Sequence, residues 1–177
     1  MTSSKSDQPL FTENLRAPGW MFAFLGLMLG AVSGGLTAVG IRGLTDDPII
    51  SGSESLLFYV SFAIAIVGIV YVMLNSTLME TKATADGITV KLGVLGTQRT
   101  FDWGDITAIR TANHNIARHG GRGNPFAPSA RRSWTMYGVR NGVEFEVGDS
   151  HENQIIFVSS YNGDELVAIA DPFLNQR

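Results

Sequence analysis

His114, His119 and His151 are the chain's three imidazoles, and with Asp149 or Glu152 they supply donor types that hold divalent metals. His114 and His119 stand five apart on a glycine-rich segment, so no helix face pairs them, and loop spacings of this kind are matched cheaply by chance. The chain has no cysteine. That removes disulfides, Cys-ligated zinc, iron–sulfur clusters and a thiol nucleophile. Ser129 and Ser133 lie near histidines, as a hydrolase would need, but without the glycine pattern of a nucleophile elbow. Asp102 and Asp105 are spaced as paired carboxylates could be, yet they read as a strand-end residue and a turn or helix-cap residue. Gly120, Gly121 and Gly123 are followed by no Lys-Ser/Thr pair, so a phosphate-binding loop is not indicated. No catalytic constellation, cofactor site or metal site emerges. The expectation is a non-enzyme, with a membrane-bound hydrolase as a distant alternative.

The chemistry that does stand out is cationic. From Arg110 to Arg132 there are five arginines, two histidines and no acid, whereas Asn141 to Gln176 holds seven acids and no Lys or Arg. Arg118, Arg122, Arg131 and Arg132, with Phe126 and Trp134 beside them, form a candidate contact surface for an acidic partner or anionic phospholipid. Arginine binds phosphate in a bidentate manner, and aromatic rings favour the membrane interface. The alternatives are that the loop folds against the acidic half or is simply solvated. A formal net charge of -3 and a membrane tether argue against nucleic acid.

The tether is read from two uncharged runs, 20–41 and 56–74, each close to the ~20 apolar residues that cross a bilayer as a helix. They account for the positive mean hydropathy of +0.13. The short connector suits an antiparallel hairpin with both termini on one side. Lys5, Arg16, Lys82 and Lys91 flank the hairpin, against Arg42 alone in the connector, which favours cytoplasmic termini and a multi-pass plasma (inner) membrane protein. Gly26, Gly30 and Gly34 form a doubled G-x-x-x-G stripe, expected to pack within the hairpin or, alternatively, in a homo-oligomer. No ionisable residue lies in either run, so an ion or proton pathway has little support.

Residues 75–177 carry strand patterns. Ile88, Val90 and Leu92 alternate with polar residues, as do Val143, Phe145 and Val147, and 155–161 reads as another strand. Asn141-Gly142 predicts a hairpin turn joining 133–139 to 143–147. Asn162 followed by Glu165 predicts a capped terminal helix carrying Leu166, Ile169 and Phe173. Trp103, Ile106, Phe145, Phe157, Leu166 and Ile169 are expected to point inward.

The D-G-I-T-V-K run at 86–91, the F-D-W-G-D-I-T-A-I run at 101–109 with Trp103, Asp105 and Ile106, and the N-G-D-E-L-V-A-I-A run at 162–170 resemble bacterial pleckstrin-homology-like membrane proteins. The resemblance covers about 78–174 and implies an α+β chain: two transmembrane helices, then a seven-stranded antiparallel β-sandwich or barrel capped by a helix. The expected organisation is a flexible tail over 1–19, a hairpin over 20–74 and a β domain over 75–177. The expected role is a membrane-anchored interaction or scaffold module docking a membrane-protein partner. A lipid-sensing module reading headgroups through 110–132 is the alternative.

Overall fold

A computed structural model of the protein describes residues 8–43, 53–115, 131–149 and 152–175, with the side chains of Ser53, Glu54, Arg131, Asp149, Glu152 and Asn153 outside that description. The two uncharged runs become helices α1 (Gly19–Gly43) and α2 (Ser53–Ser76), longer by one to three residues at each end than the sequence bounds. Pro18 sits immediately before α1, where its fixed φ suits a helix start. The few hydroxyls within the helices turn back onto their own backbone: Thr37 donates to the Ser33 carbonyl (2.9 Å) and Ser61 to that of Leu57 (2.8 Å). Apolar residues surround both helices without a polar face, and both are long and apolar enough to span a membrane. Almost none of their apolar surface is buried within the chain.

The two helices form one compact unit, residues 17–77. Contact between them runs through Gly35, where an added Cβ would lie 3.4 Å from the Phe62 ring, and through Gly43 beside the Tyr59 hydroxyl. This corrects the expectation for Gly26, Gly30 and Gly34: a Cβ at any of the three would meet nothing within 4 Å. Gly35 is one residue past the stripe, and a helix turns about 100° per residue, so the packed face is a different one.

The other unit joins residues up to Arg16 with those from Leu78 onward. The expected flexible tail over 1–19 is therefore corrected, because Phe11–Arg16 forms strand β1. It pairs antiparallel with β2 (Leu78–Ala83), followed in one sheet by β3 (Gly87–Leu92) and β4 (Gln98–Asp102). The second sheet has the order β5 (Ile106–Asn113), β7 (Asn141–Asp149), β8 (Glu152–Ser159), β6 (Arg131–Trp134). Helix α3 (Gly163–Leu174) packs on β5 and β7. The α+β class stands. The described strands number eight rather than seven, and β6 runs parallel to β8.

Period-2 alternation explains the core. Met79, Ala83, Ile88, Val90 and Phe101 face inward from the first sheet, and Ile106, Val143, Phe145 and Ile156 from the second. Phe101 meets Phe145 edge-on, ring centroids 5.0 Å apart, and Trp103 stacks on Phe173 of α3 at 4.9 Å. Five of the six residues expected inside are buried; Ile169 is half-buried.

Two turn assignments are corrected. Asn141-Gly142 opens β7 and makes no hairpin with β6. The turn lies earlier, where Val139 N–H donates to the Met136 carbonyl and Gly138 adopts φ 84°. Gly142 serves close packing instead, since a Cβ there would collide with the Val158 carbonyl. Asn162 precedes α3 but gives it no side-chain cap.

Candidate functional site

Paired residues in neighbouring strands share a face, so the strand registers sort the cations. Arg110, Glu144, Phe157 and Ser133 form one row across the second sheet. Arg110 donates to Glu144, whose side chain is almost wholly buried, and lies 3.6 Å from Glu146. The Glu144 hydrogen bond and charge hold the Arg110 guanidinium above its ordinary pKa. For this arginine, folding against the acidic half is what the structure shows.

Arg132 is different. It shares a face with Phe145 and Ile156, the core side, but lies on edge strand β6 and is exposed. Arg99 on β4, the edge of the other sheet, pairs with Val90 and so also projects from the core side. Burial pushes the Arg99 guanidinium below its ordinary pKa, and the nearby charge of Arg132 adds to the effect. Arg99 lies 5.1 Å from the Phe101 ring centroid, a cation–π position. The open edge between the sheets thus carries two mutually repelling cations. Inward-pointing charges block further strand addition at an edge, and the same pair suits an oxyanion. Trp134 ends β6 half-buried on this face. Arg131 has its backbone in β6; Arg118, Arg122 and Phe126 lie outside the described residues.

The sequence reading missed Glu13 and Arg99. Glu13 alternates with Phe11 and Leu15 on the inward face of β1, and that parity was the available signal. Its carboxylate accepts from Ser160 Oγ (2.5 Å), Tyr161 N–H (2.9 Å) and Asn162 N–H (3.3 Å). A strand preceding α1 therefore satisfies backbone donors of the two residues just before α3. The residues around it line an open polar groove of about 350 Å³ that includes Asn113, Asn141, Ser160, Tyr161 and Asp164. With Asp164 in its wall, the groove is poorly suited to an anion.

Among the described residues the catalytic and metal candidates do not assemble. Among the described residues no group of three or more His, Asp or Glu side chains is placed to hold a metal. The His114 ring lies 5.2 Å from Phe157, and the backbone N–H of His114 donates to the Arg140 carbonyl (2.6 Å). His119, His151 and Ser129 lie outside the described residues. Asp102 ends β4, and Asp105 N–H donates to its carbonyl (2.9 Å) in a turn, both side chains exposed. Comparison with known proteins finds no family model, no curated protein and no solved structure that matches this chain.

Proposed function

We propose that the protein is a membrane-anchored, non-catalytic interaction module whose β domain docks a membrane-protein partner at the inner face of a plasma membrane. One observation carries this reading. The helical hairpin interrupts a sheet between paired strands: the chain leaves β1 into α1 and returns from α2 into β2, with Arg16 opposite Leu78. Ala17 N–H donates to the Thr77 carbonyl (2.9 Å), closing the hairpin's base. The β domain is thus joined to the hairpin by two chain segments rather than one, which suits a platform tethered at the bilayer. The two sheets and closing helix support a pleckstrin-homology-like reading; the eighth strand and the parallel β6–β8 pair depart from it.

Affinity purification of the tagged full chain from membranes in mild detergent tests the proposal. A stoichiometric membrane-protein partner is expected, and recovery of the chain alone as a monomer would contradict it. The Arg99–Arg132 pair, the first half-buried and the second exposed, favours a second reading, recognition of anionic headgroups. Binding of a soluble glycerophosphate headgroup to the detergent-solubilised full chain separates the two: only the second reading predicts salt-sensitive binding.

A further inference from the structure

The two ends of the first sheet carry different exposed residues. At one end lies the β3–β4 turn, Gly93 to Thr97. Gly93 adopts φ 74°, its N–H donates to the Leu78 carbonyl (2.7 Å), and Leu92 N–H closes the turn onto the Thr97 carbonyl (3.1 Å). The turn holds out Val94, 52% exposed, and Leu95, 72% exposed. Leu78 follows the last residue of α2 by only two positions, a reach of at most ~7 Å of chain. The same end carries Arg16, Lys91 and Arg99, with Glu80 opposite Lys91, while a single leucine, Leu10, is exposed beside Ala83 at the other end. The opposite end carries Asp86, Asp102 and Asp105, all exposed, with Trp103 N–H donating to the Asp86 carbonyl.

We infer that the Val94–Leu95 turn is a bilayer-contacting tip that seats in the headgroup–acyl boundary of the leaflet from which α2 emerges. The inference rests on the reading of α1 and α2 as membrane spans. Two adjacent exposed aliphatic side chains on a tight turn are costly in water and suited to the interfacial layer, where apolar groups sink about 5–10 Å. Arg16, Lys91 and Arg99 beside the tip suit anionic headgroups, while the aspartates at the far end would be repelled by them. The hairpin and the tip together give the first sheet two attachments to one leaflet. That fixes how the domain is presented, which a single tether would not.

The chain has no cysteine, so single cysteines can be labelled without background. Leu95→Cys, Ala85→Cys and Val67→Cys, each in the full chain, are labelled with an environment-sensitive fluorophore and reconstituted into phosphatidylcholine–phosphatidylglycerol vesicles. Ala85 occupies the turn at the far end of the same sheet, and Val67 lies mid-way along α2. The expected result is blue-shifted emission at 95, quenched by lipids nitroxide-labelled high on the acyl chain and shielded from iodide. The label at 85 should remain red-shifted and iodide-accessible, which controls for the label's own apolarity. If 67 is quenched by lipid but 95 behaves like 85, the bilayer-contacting tip is overturned while the spans stand. If 67 is not quenched by lipid, the spanning reading fails and the tip falls with it.

Discussion

Phe145 in β7 and Val67 in α2 are both apolar residues inside regular elements, yet Phe145 is fully buried and Val67 is 67% exposed. In the β unit, apolar residues occupy alternate positions and find one another across two sheets. In the hairpin they occupy every side of two helices, and two helices cannot cover each other. A helix apolar all round requires an apolar surrounding, whether protein or lipid. The contrast teaches that the two units meet the demand for apolar contact differently, and that the same substitution should act through different physics in each unit.

The largest expected effect is in the β core. Phe145→Ala removes the ring that meets Phe101 and should cost about 3–5 kcal/mol in denaturant unfolding of the β unit. Val67→Ala should leave that transition unchanged. A charge reverses the ranking between units: Val67→Arg should cost about 2.5–3.5 kcal/mol, read as a reduced membrane-inserted fraction, without shifting β-unit unfolding. If Val67→Arg inserts normally, α2 has a covering other than lipid.

Glu13→Ala comes next, at about 1.5–3 kcal/mol, because it removes the charged acceptor of the Tyr161 N–H and the buried Ser160 hydroxyl. The neighbouring exposed Thr12→Ala should stay within about 0.5 kcal/mol. Chemical denaturation of both variants checks whether β1 belongs to the domain; equal midpoints would return it to a tail. Arg110→Ala should cost about 1–3 kcal/mol by leaving Glu144 without that donor. Arg132→Gln should not destabilise the fold. Under the headgroup reading it should weaken binding to anionic vesicles by about 1 kcal/mol at low salt, measured by flotation.

The two units were not equally legible. The hairpin could be read almost to the residue, because an uncharged run of that length has few other uses. Phe145 and Phe157 were legible from local alternation and from the β propensity of their neighbours. Strand β1 was not, because a buried glutamate interrupts its apolar parity and its partner β2 lies beyond the whole hairpin. Asn141-Gly142 was misread because glycine answers two demands: a turn, or close approach of a neighbouring strand as at the Val158 carbonyl. The anchoring of the segment before α3 was not legible because its acceptor, Glu13, comes from the other end of the chain. Of the arginine segment, the sequence showed the charge imbalance but not its division. Arg110 and Arg132 look alike in sequence, and only the strand registers place one on a buried acid and the other on an open edge.

The central claim is that a hairpin with two uncharged runs crosses a bilayer between two paired strands of one domain. Cysteine accessibility in sealed vesicles of known orientation tests it most directly, using Ser51→Cys between the helices and Ala85→Cys in the β unit. The account predicts that a membrane-impermeant maleimide labels position 85 only from the cytoplasmic face and position 51 only from the opposite face. Labelling of both positions from the same face would contradict it.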